Sequence, residues 1–575
     1  MKNEKQVSIL FPYYEDTQYR QLSETACHDL GLDTICKELT SDIKEQNLIM
    51  SIISNMTGDE RVAKYRQKVF VDILNLPYIR KRMTELFERI EFLKDFGTAK
   101  RKSNERLGIW GLLHRLYEID DYIECVEAMR ECLSDAQIKS EGLKDFRDFI
   151  NEIYEDSCFA QMKEDISKLK VKTSDIKSIT VGINLNERFE ATSLGLVSIN
   201  KKSFKKSGIL SNFADAITAK NKLREDSDWK GDMHYHQPED EEGGVIGHLK
   251  RNAEFYATQD APFLDRRIRT TIANVAEGDD VKNSTFYLEN VANKILDTII
   301  RRLREVLAKY SDISIMSISK IIPEFLYYIK FAEFIEKNTE RGFPFCEAET
   351  SDGDDKLMNA QALYNLKLAL GKESKDDIVY NDLIFDREHT VYILTGANRG
   401  GKTTVTQAVG MMFALAQGGI FVPAKSFKYK PVDCIYTHFP ADEDKTMDLG
   451  RLGEECVRFK EIYTNVTKDS LVLLNETFST TSFEEGYYIA KDSVKALLKK
   501  QVRTIYNTHM HKLAADTAEL NSAGYDVMTS SIIVKSEEGK RSFKIEEAEP
   551  EGMSYARDIA EKYGVTYEML TEEKY

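Results

Sequence analysis

The stretch Thr395-Gly396-Ala397-Asn398-Arg399-Gly400-Gly401-Lys402-Thr403-Thr404 constrains the fold more than any other part of the chain. It follows a short apolar run, Val391 to Leu394, and precedes a helix-like one, Val405 to Ala416. Gly396, Gly401, Lys402 and Thr403 have the G-x-x-x-x-G-K-[ST] spacing of a phosphate-binding loop set between a strand and a helix. Glycines at those points let backbone N–H groups close around phosphates, with the positive end of the next helix behind them. Lys402 is then placed to reach the β- and γ-phosphates, and the Thr403 hydroxyl to ligate Mg²⁺. The motif predicts an α/β domain that binds a nucleoside triphosphate together with its metal.

The 575 residues are too many for one core, since single cores stop growing near ~250–300 residues. A charged fraction of 31%, with 10 Pro and 30 Gly, points to a helix-rich soluble protein. There is no signal pattern at the start and no apolar run long enough to span a bilayer, so a cytoplasmic protein without a membrane partner is expected. The eight cysteines are scattered with no C-x-x-C pair and read as reduced thiols. A net charge of −16 argues against a global nucleic-acid footprint and leaves that role to a local basic surface.

Periodicity divides the rest. Residues 1–130 read as amphipathic helices, with Val69, Phe70, Ile73, Leu74 and Leu76 on one face and Met83, Leu86, Phe87 and Ile90 following Pro77. Residues 131–280 are mixed, with strand-like runs at Ile179–Leu185 and Leu194–Ile199. Basic clusters follow: Lys201, Lys202, Lys205, Lys206, Lys220, Lys222 and Arg224, then Lys250, Arg251, Arg266, Arg267 and Arg269. They read either as a solvated face or as a phosphate-contact surface. His234 and His236 sit in an acidic, Pro- and Gly-containing stretch that reads as a flexible loop rather than a metal site. Residues 281–350 return to helix, with Leu288, Val291, Ile295, Ile299 and Leu303 at helical spacing and Pro323 suited to a first turn. Gly342-Phe343-Pro344 and the acidic run from Asp352 mark the entry to a nucleotide domain at 351–550.

Downstream of the loop, Leu471–Leu474 is an apolar strand ending in Asn475-Glu476. In P-loop ATPases such a strand delivers an acid to the metal shell and a carboxylate that orients the attacking water. Glu476 fits the general base. Asn475 stands where an aspartate is usual; its amide accepts a hydrogen bond from a metal-bound water but brings no charge. A further strand, Arg503 to Thr508, ends in His509, suited to the γ-phosphate or the nucleophilic water. The expected catalytic set is therefore Glu476, His509 and Lys402, with Gly396 to Thr404 on the nucleotide and Thr403, Asn475 and Glu476 at the metal.

In this order the pieces resemble the MutS family, within the ABC-type nucleotide-binding class. The loop is similar to T-G-P-N-M-G-G-K-S-T. Leu473–Glu476 with Ser479–Gly486 resembles D-E-x-x-x-G-T-S-x-x-[DE]-G, and Asn507–Leu513 resembles A-T-H-x-x-x-L. Gly552–Ala556 with Ile559-Ala560 resembles the closing S-Y-G-x-x-[VI]-A, and Asn381 lies at about the family's distance before the loop. The resemblance covers roughly residues 360–565. It implies an α/β P-loop (ABC-type) ATPase domain at 351–550 and a helical dimerisation segment at 551–575. Before them it implies a helical core and lever at 1–130, a small mixed α/β clamp at 131–280 and returning lever helices at 281–350.

It also implies a homodimer that sandwiches ATP and Mg²⁺, each loop facing the partner's signature segment. Here that segment is Met447–Glu455, in which Glu454 aligns but no serine does, leaving Gly450, Arg451 and Gly453 as candidates for the contact across the dimer. Residues 1–50 carry no F-x-E wedge and no nuclease-like tail precedes Tyr575, so a member without mismatch recognition is expected. The implied activity is ATP hydrolysis, slowed by Asn475, that controls a clamp on DNA in repair or recombination. A ribosome- or RNA-associated ATPase and a nucleotide-gated protein scaffold with weak turnover are the alternatives.

Overall fold

Three strands of the C-terminal part are buried along their whole length: Val391–Thr395, Leu471–Asn475 and Arg503–Asn507. Continuous burial of apolar runs is what a parallel sheet covered on both faces requires. In the computed structural model they lie at the centre of a six-stranded sheet. Its order is Ile435–His438, Leu471–Asn475, Arg503–Asn507, Val391–Thr395, Thr529–Glu537 and Lys540–Glu547. All neighbours are parallel except the last pair. One face is covered by the helix Phe483–Lys500, whose Tyr487, Ala490, Val494, Leu497 and Leu498 recur at helical spacing and join Ile393, Leu474 and Tyr506 in one core. The helix Lys402–Gln417, nearly all buried, covers the other. A four-stranded mixed sheet (Ala348–Thr350, Ser426–Tyr429, Met358–Leu363, Asn381–Phe385) stands beside this layer.

The structure describes residues 7–97, 109–134, 137–173, 178–185, 187–188, 191–200, 272–274, 297–310, 320–351, 356–396, 400–440, 450–537, 540–550 and 563–571. The basic clusters from Lys201 to Arg269, the His234/His236 stretch, the helical run at 288–296, Ala397 to Arg399, Met447 to Leu449 and the closing motif at 552–560 lie outside these residues.

The chain separates into two compact units, one comprising Met1–Glu85, Cys132–Phe149 and Ile321–Tyr575, the other Leu86–Glu131 and Ile150–Lys320. In the first, the helices Glu60–Asn75 and Ile322–Glu340 pack through Phe70 and Tyr328, ring centroids 6.1 Å apart. Pro323 lies in the first turn of the second helix, where its missing N–H costs nothing. Arg66 is fully buried; its guanidinium donates to the carbonyls of Leu10 at 2.7 Å and Gln417 at 2.9 Å, tying the N-terminal segment to the end of the loop helix. In the second unit the expected strands are found as Ser178–Leu185 and Ala191–Asn200, antiparallel, with Ile272–Asn274 as the third strand. The Tyr310 hydroxyl donates to Asp165 at 2.8 Å in that unit. No helix among the described residues is long and apolar enough to cross a membrane.

Candidate nucleotide site

The carboxyl ends of the parallel strands bring together the residues singled out by spacing. Open α/β sheets bind ligands at that edge. The register sets Asn475 beside Asn507, and Asn507 beside Leu394. Gly396 leaves the sheet at φ +138°, and a Cβ there would meet Val534 Cβ at 3.1 Å and its backbone nitrogen at 3.2 Å. Only glycine fits between the loop and the neighbouring strand. Gly401 precedes the helix Lys402–Gln417, whose first N–H groups are open to an anion.

Lys402 is 5% exposed, and its Nζ donates to the Gly396 carbonyl at 3.0 Å. Burial lowers its pKa, while the charge of Glu476 works in the opposite direction. The Thr403 hydroxyl donates to Asn475 Oδ1 at 3.1 Å. Asn507 Nδ2 donates to that same Asn475 oxygen and to Thr403 Oγ1 at 3.3 Å. Glu476 has a left-handed backbone, φ +54°, held by its N–H to the Asn507 carbonyl at 2.8 Å. A non-glycine residue in that region stores strain that its surroundings must enforce. Its carboxylate oxygen lies 2.8 Å from His509 Nε2. The hydrogen bond from His509 lowers the Glu476 pKa most; desolvation opposes it, and the charges of His509 and Lys402 add to it.

Behind this pair the turn that follows Glu476 is fixed from the core. The Tyr506 hydroxyl donates to the Thr477 carbonyl at 2.9 Å, and Thr477 Oγ1 lies 3.2 Å from His438 Nδ1. Burial pushes the His438 pKa down to about 4, so the imidazole is neutral in ordinary buffers.

A cleft of about 410 Å³ opens in front of the loop, lined by Gly400, Gly401, Lys402, Thr403, Thr404 and Glu476. The lining also includes apolar Leu363, Leu368, Ile378, Val379 and Phe543, together with polar Asn365, Lys372, Asp377 and Asn381. A triphosphate needs donors and a base needs apolar contact, and the lining contains both kinds of residue. The residues also fit a nucleotide-borne Mg²⁺, which typically keeps several waters and takes few protein ligands. Thr403 Oγ1 and Asn475 Oδ1 are the oxygens at hand, and Asn507 Oδ1, on the side chain that bonds to both, is buried with no hydrogen-bond partner among the described residues. No group of three or more His, Cys, Asp or Glu among the described residues could hold a metal alone.

Glu476, Lys402, Thr403, Asn475 and His509 are thus gathered at one edge. Gly450, Arg451, Gly453 and Glu454 stand instead on the separate helix Gly450–Asn465. Asn381 bridges strands: it donates to the Phe543 carbonyl at 3.2 Å and accepts from the Ile545 N–H at 2.8 Å. Three contributors escaped the sequence reading. Asn507 was read as the first residue of the strand-end motif Asn507–Leu513, with no role of its own. Asn365, which donates to the Thr404 carbonyl at 2.9 Å, and Phe543 reach the site from elements with no fixed spacing to the loop.

A strand, a phosphate-type loop, a helix and a paired Glu–His at the carboxyl edge of a parallel sheet define a nucleotide-binding α/β domain. The family profile described as MutS domain V, a P-loop ATPase domain, matches residues 392–574, and that described as MutS2 N-terminal domain matches residues 58–337. The chain is similar to the DNA mismatch repair protein MutS of Chlorobium phaeobacteroides, 29% identical over 239 residues, covering 40% of this chain and 26% of that protein. It is also similar to the endonuclease MutS2 of Caldicellulosiruptor bescii, 26% identical over 257 residues, covering 44% of this chain and 31% of that protein. The MutS of Methanothrix thermoacetophila is 34% identical over 174 residues, covering 30% of this chain and 19% of that protein. The matched stretch is thus less than a third of the length of each of these relatives. The chain is a member of the MutS family.

Proposed function

We propose that the chain is a MutS-like ATPase that acts as a homodimer and grips DNA under nucleotide control. The observation that carries the reading is the convergence of Lys402, Thr403 and Glu476 on one cleft, with Asn475 hydrogen-bonded to Thr403 and His509 2.8 Å from Glu476 behind them. In this reading Lys402 neutralises charge developing on the transferred phosphoryl group. Thr403, with Asn475, would hold Mg²⁺, which would neutralise phosphate charge there. Glu476 accepts the proton of the attacking water, and His509 keeps that carboxylate ionised and aimed. The apolar lining residues Ile378, Val379 and Phe543 take the base. A partner copy would bring Gly450, Arg451 and Gly453 to the same nucleotide. Because only differential binding moves a conformational equilibrium, ATP must favour one grip of the 131–280 region over another.

The names of the relatives, DNA mismatch repair protein and endonuclease MutS2, support a DNA-related role. Asn475 favours a second reading, a nucleotide-gated scaffold that binds ATP and turns it over slowly.

Co-sedimentation of the Glu476→Gln variant with duplex DNA and with ribosomes, with and without ATP, tests the proposal. Retention on DNA that needs ATP and disappears at high salt supports the DNA clamp. Retention on ribosomes alone moves the function to translation, and retention on neither leaves the scaffold.

A further inference from the structure

A side-chain amide offers either an oxygen or an N–H to its neighbour, and only the oxygen suits the position of Asn475. With the oxygen toward Thr403, the threonine hydroxyl donates its hydrogen to Asn475 and keeps a lone pair for a cation. With the amide reversed, a second N–H, added to that of Asn507, would point at the hydroxyl oxygen and occupy the remaining lone pair that a cation needs. An aspartate, with two equivalent oxygens, never faces this choice. Asn475 therefore has to be held.

The holder is on the adjacent strand. Asn507 is fully buried and is the register partner of Asn475. Its Nδ2 donates to Asn475 Oδ1, the same atom that accepts from Thr403 at 3.1 Å, and also donates to Thr403 Oγ1 at 3.3 Å, taking one of the hydroxyl's two lone pairs and leaving the other. Two donors converging on one carboxamide oxygen fix its orientation. We propose that Asn507 is a positioning residue for the metal-binding hydroxyl: its N–H locks the neutral Asn475 side chain oxygen-first toward Thr403, so that an amide serves where an aspartate is usual. The inference rests on the reading of the cleft as a nucleotide–metal site. It goes beyond that reading in making the two asparagines one functional unit, neither of which works without the other.

The test is a double-mutant cycle on the full chain. It is read as the Mg²⁺ concentration that half-saturates tight binding of a fluorescent ATP analogue, not as turnover. Removing a partner that orients a metal ligand typically costs 10–100-fold in metal affinity. Asn507→Ala should raise the half-saturating Mg²⁺ roughly 10-fold or more and leave binding in chelator unchanged. In an Asn475→Asp background the same change should do far less, since a carboxylate has no wrong way round. Asn507→Val, which fills the strand position without a donor, replaces Asn507→Ala if the latter does not fold. Equal effects in both backgrounds, or none in the wild type, overturn the proposal. Lys402→Ala, measured in chelator, tests the site separately: unchanged nucleotide binding there removes the nucleotide reading itself, whatever Asn507 does.

Discussion

At the scale of single residues, the proposed chemistry turns on the pairing of Glu476 with His509. A general base must be ionised at working pH, and the histidine's hydrogen bond holds the Glu476 carboxyl below the ordinary glutamate range. The sign follows directly. A lowered pKa keeps the base competent as pH falls, so the acid limb of kcat/KM, which reports the free protein, should lie below the ordinary glutamate range. His509→Ala removes the leading cause of that shift, and the limb should move upward; a pH profile of kcat/KM that stays put would show that the histidine does not set the base. Glu476→Gln should reduce turnover by roughly 10²–10⁴-fold, the usual worth of a positioned base, while ATP still binds. Lys402, Thr403, Glu476 and His509 were legible in the sequence because each is tied to a strand end or to a short motif of fixed spacing. Asn507 was not, because its role depends on which strand lies beside it. The sheet places Arg503–Asn507 between the loop strand and the Asn475 strand, an order that local spacing does not encode.

Among elements, the buried strands and the loop helix were readable from apolar runs, and the hairpin at 178–200 from its alternation and turn residues. What the sequence did not reveal is how closely the first helices press on the nucleotide layer. Asp29, at the end of the helix Glu24–Asp29, accepts from Thr437 at 2.6 Å, and its carbonyl accepts from Gln407 of the loop helix at 2.5 Å. Such contacts span several hundred positions and leave no periodic trace. Gly419 makes the same point energetically. It follows the loop helix at φ +83°, and a Cβ there would lie 2.6 Å from Arg66 Cβ and 2.7 Å from its backbone carbon. Gly524 has a similar φ, +76°, with nothing within 4 Å. Gly524→Ala should therefore cost only the left-handed backbone penalty, about 1 kcal/mol. Gly419→Ala should cost that plus a backbone shift, together about 2–4 kcal/mol. Urea midpoints compare the two; equal losses would mean that Arg66 and Gly419 do not approach as closely as described.

For the molecule as a whole the question is how an acidic chain could hold an acidic polymer. A net charge of −16 repels DNA in aggregate, yet at physiological salt charges act over only about 8 Å, so a local surface works almost independently of the total. Lys201, Lys202, Lys205 and Lys206 concentrate four positive charges just after the strand Ala191–Asn200. If they bind phosphates, each contact releases condensed counterions and adds about 0.9 to the slope of log K against log salt. Changing all four to Gln should weaken duplex binding and flatten that slope by up to about 3.6. ATP affinity, set at the separate Lys402 site, should not change. A flattened slope with intact ATP binding would assign the cluster to the DNA grip and separate it from the nucleotide chemistry. An unchanged slope would make the cluster a solvated face and send the search to Lys250, Arg251 and Arg266–Arg269. If the wild-type chain itself shows no salt-dependent binding, the DNA clamp fails and Asn475 becomes the more telling residue, because a neutral metal position suits a protein that holds ATP longer than it hydrolyses it.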